Sequence, residues 1–447
     1  MPGPDSWFNN WKTLLLILSA AVVILFMGYG LSRESTLLNI GCYTFLFTAY
    51  LLLYKQLEGS PRIGIFISIS FRLLLLFSIP ALSDDFYRFI WDGRLLAAGV
   101  NPFHEVPEFY MLQGSNIPGI NLELFESLNF KIYHTMYAPV AQFTGWIAVL
   151  IGGESVRMTV LVMRLFIIVA EIGSIFLIYR LLQYYKMNSS RVLLYALNPL
   201  VIFELTGNLH HEAYVIFFLL LTVYFFHKNN LWFTALAMSM AIASKLIPLI
   251  FLPLFLNRFS IKRLLLFYTL VMVFTIALFS PFLDNKLFYA LIDSGWLYFQ
   301  RFEFNGSIYY LVREVGFWVK GYNIIQTAGR WMAALTFLSI GSYIWFERNK
   351  KVNIFEALMW ILTLYLVFAT TLHPWYILPL ISFCVFTTYR YAIIWSILIF
   401  LSYAGYSHDG YSEPIYLIVL EYLIVYAVMI YEISRNVKPQ LLFRGPS

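Results

Sequence analysis

Long apolar runs recur along this chain from Lys12 to Arg435, and mostly short polar loops separate them. Runs of roughly 20 residues are the length that an α-helix needs to cross a bilayer core of about 30 Å. Because lipid cannot hydrogen-bond the backbone, such runs must fold as helices. Of the 447 residues, 60% are hydrophobic, which is more apolar surface than a soluble protein of this size can bury. We therefore predict an all-α polytopic membrane protein.

The pattern predicts about 14 transmembrane helices of this kind. They lie near residues 12–30, 36–54, 62–80, 157–183, 191–206, 212–227, 231–245, 246–257, 264–281, 323–346, 353–371, 374–389, 391–405 and 413–433. Lysine and arginine collect in alternate loops, so the positive-inside rule places those loops and both termini in the cytoplasm. Two long loops, 81–156 and 281–322, then lie outside and are expected to carry short amphipathic helices. We predict one integral-membrane domain over residues 1–447, without a soluble domain.

The start of the first external loop concentrates charge in a chain that is only 12% charged. The stretch SDDFYRFIWDGRLLAAGVNPF contains Asp84, Asp85, Arg88, Asp92 and Arg94. Ionisable residues at the end of an apolar span indicate a functional site, because charge is costly near a bilayer. Asp84 or Asp85 is a candidate general base, although Asp84 would also suit a helix cap. Arg88 and Arg94 either bind an anion or pair with the neighbouring acids, and Asp92 is a candidate substrate-binding residue.

A second polar group lies at a predicted external turn, in the segment GNLHHE. Its candidate substrate-binding residues are Asn208, His210, His211 and Glu212. Two histidines and a glutamate could bind zinc, but they lack the i, i+4 spacing that puts two ligands on one helical face. Hydrogen bonds to a sugar or a phosphate are the preferred interpretation, and no metal site is predicted.

Lys245 is a charge inside an apolar run, in ASKLIPLIFLP. The prolines at 248 and 253 open the helix there, so the lysine is expected to face a cavity. We predict that it binds a lipid phosphate. An intramembrane salt bridge to Glu204 or Glu171 is the alternative.

Two later segments add aromatic and polar candidates. The second external loop contains WLYFQRFEFNGSIYYL, from which Arg301 is a candidate phosphate ligand and Asn305 a candidate substrate ligand. The segment HPWY contributes His373, Trp375 and Tyr376, whose rings suit stacking on a sugar at the membrane interface. An ordinary aromatic belt is the alternative for both segments. The chain has no Walker or GxGxxG motif, so a soluble nucleotide donor is not expected.

Taken in order, the segments LSDDFYRFIWDGRLLAAGVNPF, MYAPVAQ, ALNPLVIFELTGNLHHEAY, ASKLIPLIFLP, FEFNGS and HPWYILP carry a family likeness. Together they resemble the polyprenol-phosphate-dependent mannosyltransferases of the GT-C superfamily, in particular their bacterial integral-membrane branch. The resemblance covers nearly the whole chain. It departs from members with a strict D-x-D or D-E motif, because this sequence reads D-D.

The resemblance implies a GT-C fold in the bacterial inner membrane and an extracytoplasmic active site. A hexose, predicted to be mannose, would pass with inversion from a polyprenyl-phosphate donor to a glycan or lipid acceptor. Asp84 best matches the family's first-loop base, with Asp85 in reserve. Arg88, Lys245 and Arg301 would stabilise the leaving phosphate. No cofactor and no nucleic-acid partner are expected. A transporter or flippase of a lipid-linked sugar or polar solute remains the alternative.

Overall fold

The computed structural model describes residues 11–112, 116–300, 302–348, 350, 352–408 and 410–436; side chains at 294–300 and 436 are not considered. The α-helices are Trp11–Gly30, Thr36–Gln56, Pro61–Leu74, Asp85–Ala97, Pro107–Leu112, Leu122–Glu126, Pro139–Gly152, Val156–Tyr184, Leu193–Ala196, Pro199–Val201, Glu212–His227, Leu231–Ser244, Ile261–Phe279, Asn285–Gln300, Ile308–Lys320, Ile325–Glu347, Ile354–Phe368, Leu378–Cys384, Tyr391–Leu398 and Ile415–Asn436. The 3₁₀ helices are Ser189–Val192, Ile247–Asn257, Ser280–Phe282, Pro374–Ile377 and Ile399–Gly405, and Ile202–Gly207 is π-helical. The strands Tyr406–Ser407 and Gly410–Tyr411 pair antiparallel.

Five helices are long and apolar enough to cross a membrane: Trp11–Gly30, Thr36–Gln56, Val156–Tyr184, Ile261–Phe282 and Ile415–Arg435. A sixth span results if Pro199–Gly207 and Glu212–His227, which meet at a bend of 114°, are counted together. Six shorter apolar helices of 10–17 residues accompany them. The all-α polytopic membrane prediction is confirmed, whereas the predicted count of about 14 spans is not.

Breaks inside several apolar runs explain the difference in count. The predicted span 191–206 is divided among four short helical pieces, because Pro199 starts a new helix and a π-helical turn follows. The predicted span 246–257 forms a 3₁₀ helix containing Pro253, which cannot donate a backbone hydrogen bond. Hydropathy detects apolar length but not these interruptions.

The first long loop, 81–156, is largely helical. Asp85–Ala97 packs against Pro139–Gly152, and the two backbones approach so closely that a Cβ at Gly93 would lie 2.7 Å from the Gly145 carbonyl oxygen. Pro139–Gly152 also packs on Val156–Tyr184 and Leu231–Ser244. Its sequence is mostly apolar rather than amphipathic, and it packs against three other helices.

The second long loop contains Asn285–Gln300 and the amphipathic helix Ile308–Lys320. Between them, Phe304 joins the segment before His373: its backbone N–H donates to the Thr370 oxygen at 3.2 Å, and its carbonyl accepts from Leu372 N–H at 2.8 Å. The second loop is thereby held beside the HPWY segment.

Candidate active site

The two long loops and the bent helix pair border a cavity of about 860 Å³. A volume of this size accommodates a small organic ligand. Nine predicted site residues line it: Asp84, Asp85, His210, His211, Glu212, Lys245, His373, Trp375 and Tyr376. They come from four separate parts of the chain, so the fold assembles them.

Asp84 stands immediately before the helix Asp85–Ala97 but does not cap it. Its side chain makes no capping hydrogen bond and instead forms an ion pair with Arg33. The Arg33 guanidinium also lies 5.0 Å from the ring centre of Tyr406, within cation–π range. The capping interpretation of Asp84 is therefore wrong, because the carboxylate is turned towards Arg33.

Asp85 meets different partners at the cavity wall. Burial raises the pKa of its carboxyl group above the ordinary value. Lys245 and a hydrogen bond from Tyr137 oppose that rise, as a protonated His210 would, while Glu212 adds to it. Asp85 therefore combines a raised proton affinity with a position on the cavity.

Lys245 lies at the break between Leu231–Ser244 and Ile247–Asn257, where its backbone is extended. Its ammonium group forms an ion pair with Glu212 and lies 4.2 Å from the ring centre of Tyr376. The predicted alternative partners were Glu204 and Glu171, and neither pairs with it. Glu212 is the residue that joins Lys245 to the bent helix pair.

The rings of His210 and His373 both stack on the ring of Trp375. The ring centres of His210 and Trp375 are 3.7 Å apart, and those of His373 and Trp375 are 4.4 Å apart. Burial lowers the pKa of His373 well below its ordinary value, helped by the nearby charge of Lys245. Such aromatic surfaces can stack on a sugar ring or an isoprenoid, and a neutral His373 adds no charge to them.

His211 lies under the first-loop helix, with its ring centre 4.1 Å from that of Phe89. Burial is the main cause that lowers its pKa to about 3, and the charge of Lys245, like that of a protonated His210, adds to the effect. The side chain is therefore neutral at physiological pH. Among the described residues, no group of three His, Cys, Asp or Glu side chains is placed to hold a metal ion.

Five other predicted site residues lie elsewhere. Arg88 donates to Asp92 at 2.9 Å, and Asp92 also accepts from Thr135 and Gln142, so these residues fasten the first-loop helix to the chain that follows it. Arg94 donates to the carbonyl oxygens of Gly119 and Glu154. None of Arg88, Asp92 and Arg94 is on the described cavity wall, and the geometry assigns them to loop architecture.

Asn208 and Asn305 also make internal contacts instead of lining the described part of the cavity. Asn208 donates to Glu204 at 3.1 Å and accepts from the backbone of Leu82. Asn305 donates to the buried Glu421, which stabilises the turn beside Phe304. Arg301 falls outside the described residues.

One wall of the cavity is apolar and extends between two helices. Leu246 and Leu249 contribute from the 3₁₀ side, and Phe337 contributes from Ile325–Glu347. These three side chains are exposed rather than packed in the core, Phe337 by 71%. They form an apolar branch of the cavity.

Sequence reasoning missed Arg33 and Tyr406, which border the cavity from opposite ends of the chain. A signal for Arg33 was available. It lies in the short connection between the first two predicted spans, on the side where the positive-inside rule disfavours basic residues. Tyr406 gave no such signal among 32 tyrosines.

A polytopic helical protein that brings carboxylates, a lysine and aromatic rings together at one cavity has the architecture of an integral-membrane enzyme. A family model described as alpha-(1->6)-mannopyranosyltransferase, N-terminal domain (MptA_B family), matches residues 10–259. This is more than half of the chain, which therefore belongs to this GT-C type mannosyltransferase family. The resemblance inferred from the motifs is confirmed, and the protein is a mannosyltransferase-like glycosyltransferase. No protein of curated function matches the sequence.

Proposed function

We propose that this enzyme transfers a mannosyl residue from a polyprenyl-phosphate donor to a hydroxyl group of a glycan acceptor, with inversion at the anomeric carbon. The observation that carries the proposal is that one cavity holds both the charged groups of Asp85 and Lys245 and the apolar branch of Leu249 and Phe337. We take this branch to face lipid, as exposed apolar side chains of membrane proteins do. A lipid-linked sugar has the same division: a polar sugar and phosphate joined to an apolar chain.

Asp85 is the general base in this proposal. The acceptor oxygen bonds to C1 of the sugar as its proton passes to the Asp85 carboxylate. The C1–O bond to the phosphate breaks, and its electron pair leaves with the polyprenyl phosphate. Inversion follows because attack and departure take place on opposite faces of the ring.

The geometry favours Asp85 as the base, whereas the family resemblance of the sequence favours Asp84. The guanidinium of Arg33 pairs with Asp84 and competes for the lone pairs that would accept the proton. Burial instead raises the pKa of Asp85, which makes its carboxylate a stronger base. Asp84 then serves to hold Arg33 at the mouth of the cavity.

Lys245 binds the donor phosphate and stabilises the charge that grows on it as the bond breaks. Its present partner, Glu212, is 4% exposed. An arriving phosphate group would compete with Glu212 for the ammonium group. The polyprenyl chain occupies the branch beside Leu249 and Phe337, so that the lipid stays in contact with the bilayer.

The active site faces the extracytoplasmic side in this proposal. The support is the charge pattern: the connections bearing Lys55, Lys186 and Arg258 lie at the opposite ends of helices from the cavity-lining Asp85 and His210, and the positive-inside rule puts them in the cytoplasm.

A transfer assay tests the proposal. Membranes containing wild-type protein, Asp85→Asn or Asp84→Asn are supplied with radiolabelled polyprenyl-phosphate mannose, glucose or galactose, and label is followed into lipid and glycan fractions. We expect wild type to consume the mannose donor, Asp85→Asn to lose about 10³-fold in rate, and Asp84→Asn to lose far less.

The neighbouring aspartates serve as controls for each other, because both variants replace a carboxylate by an amide. Equal losses in the two variants, or a larger loss in Asp84→Asn, would return the base role to Asp84. Movement of an unmodified lipid-linked sugar across proteoliposomes, without transfer, would replace the enzyme proposal by the transporter alternative.

A further inference from the structure

The π-helical turn Ile202–Gly207 places a buried carboxylate behind a histidine of the cavity. The wider turn lets Asn208 N–H bond to the Phe203 oxygen at 2.7 Å, and the next residue, Leu209, has a positive φ of 65°. This turn of the backbone brings His210 close to Glu204. The Glu204 carbonyl oxygen lies 2.9 Å from the imidazole Nδ1. Such local departures from the α-helix occur frequently at functional sites.

Glu204 also reaches the same imidazole nitrogen with its side chain. Its Oε2 atom lies 3.2 Å from His210 Nδ1. Asn208 donates to the same carboxylate at 3.1 Å, and Tyr403 donates to it at 2.8 Å. The carbonyl acceptor at Nδ1 and the carboxylate oxygen beside it both favour a proton on that nitrogen, so the neutral ring presents a lone pair at Nε2.

Nε2 is the atom that these contacts leave free. It is buried and has no hydrogen-bond partner among the described residues, in a side chain that is only 2% exposed. His210 lines the same cavity as Asp85. Stacking on Trp375 fixes the plane of the ring, so the lone pair has a defined direction.

The Glu204 carboxylate oxygen near Nδ1 is not needed to set the tautomer of His210, because the backbone carbonyl alone would fix it. A carboxylate adds negative charge, which stabilises an imidazolium more than a neutral ring. Glu204 is fully buried, and burying a carboxylate is costly unless it is hydrogen-bonded and paired with a positive charge. A histidine that takes up a proton during turnover supplies that positive charge.

We propose that Glu204 and His210 form a proton-accepting pair that relieves Asp85 of the proton taken from the acceptor hydroxyl. The proton moves from the Asp85 carboxyl to His210 Nε2, which leaves Asp85 ionised and His210 as imidazolium beside the Glu204 carboxylate. The imidazolium then loses the proton to solvent. His210 acts through Asp85, and Glu204 and Tyr403 are positioning residues. The inference rests on the proposed function and deepens it.

Several other ionisable groups act at this end of the cavity. They are Asp85, His211, Glu212, Lys245, His373 and Tyr403. Lys245 opposes a positive charge on His210, whereas the carboxylates of Glu204 and Asp85 favour it. The Glu204 carboxylate lies beside the ring, Asp85 lines the same cavity, and Lys245 is already paired with Glu212.

The test measures kcat and KM for mannosyl transfer by His210→Gln, His210→Ala and wild type. Glutamine can still accept a hydrogen bond but cannot take up a proton. We expect His210→Gln to lose about 100-fold in kcat with little change in KM, and added imidazole to restore part of the activity of His210→Ala. His227→Gln is the matched control, because His227 ends the helix that Glu212 begins.

Glu204 is tested by Glu204→Gln and by the milder Tyr403→Phe, which removes one hydrogen bond from the carboxylate. Both should lower kcat, the first by about 10-fold and the second by less. If Glu204→Gln does not fold, Tyr403→Phe still tests the carboxylate's role.

Full kcat in His210→Gln would overturn the relay and leave a hydrogen-bonding role. Failure of imidazole to rescue folded His210→Ala would do the same. These results differ from failure of the proposed function, in which wild type itself transfers no sugar from a polyprenyl phosphate.

Discussion

Among the places where the described structure buries charge, two regions treat it differently. Arg72 and Glu171, both 0% exposed, pair at 2.8 Å, and Arg72 also donates to the carbonyl oxygens of Ser68 and Ala196. At the cavity, the Lys245 side chain is partly exposed, and Nε2 of His210 has no hydrogen-bond partner among the described residues. Charge in an apolar chain is therefore weak evidence of function, whereas charge with unused bonding capacity beside a cavity is strong evidence.

Arg164 belongs with Arg72 in this comparison. It donates to the carbonyl oxygens of Thr206 at 2.8 Å and of Gly207 and Leu76 at 3.0 Å. These carbonyls lie at helix ends where intrahelical partners run out. The arginine thus stabilises the turn that leads to His210. It is not one of the residues that line the described part of the cavity.

The largest expected effect is on folding. Arg72→Met leaves the Glu171 carboxylate buried without its partner, which should cost about 3–5 kcal/mol of unfolding free energy. Thermal unfolding in detergent and the yield of monodisperse protein measure the loss. The double variant Arg72→Met/Glu171→Met should recover most of it, because no charge is then stranded. Native stability in the single variant would mean that the two charged regions do not differ.

Lys245→Gln should reverse the pattern of loss. The amide keeps a hydrogen bond to Glu212, so the melting temperature should stay close to that of wild type. The variant lacks the ammonium group that stabilises the negative charge on the leaving phosphate in the transition state. We therefore expect kcat/KM to fall by about 100-fold. Parallel melting curves and transfer kinetics check this. A stability loss as large as that of Arg72→Met would make Lys245 a structural residue.

Arg33→Gln tests the mouth of the cavity. Removal of the guanidinium frees Asp84 and ends the contact with Tyr406, but leaves Asp85 and its neighbours in place. We expect a loss of about 10-fold in kcat/KM, less than for Lys245→Gln, because a partly exposed ion pair contributes little by itself. Transfer kinetics at two salt concentrations measure it. A loss beyond that of Lys245→Gln would place the phosphate at Arg33.

The smallest effect concerns pH. The base works when ionised, so kcat/KM should fall as the pH drops through the pKa of Asp85, which burial raises above the usual value of about 3.9. Lys245 holds that pKa down. In Lys245→Gln the acid limb should therefore move to higher pH. His211, with a pKa of about 3, contributes no limb at higher pH. An unchanged limb would separate Lys245 from Asp85.

Sequence reasoning located much of this site because charged and aromatic residues stand out in an apolar chain. Asp85, Lys245 and Trp375 were all named from their segments. It also named Arg88 and Asn305, which the structure places off the described cavity wall, since a polar side chain that braces a loop has the same sequence signal as one that binds a ligand. The partner of Lys245 also required coordinates, because Glu212 is 33 residues away and on another helix.

The fold was predictable to the same extent. Apolar length placed helices such as Trp11–Gly30 and Val156–Tyr184 within a residue or two. It did not foresee the π-helical turn or the covered helix Pro139–Gly152, because both depend on tertiary neighbours rather than on local composition.

Thr36 donates to the Tyr406 carbonyl oxygen at 2.9 Å across 370 residues, next to the contact between Arg33 and Tyr406. One border of the cavity is therefore formed by residues near the start of the chain together with Tyr406 near its end. During synthesis, a nascent chain that already contains Asp85 and Lys245 still lacks this border. This border of the cavity is therefore completed only after the last helices have been synthesised, so an incomplete translation product would lack it.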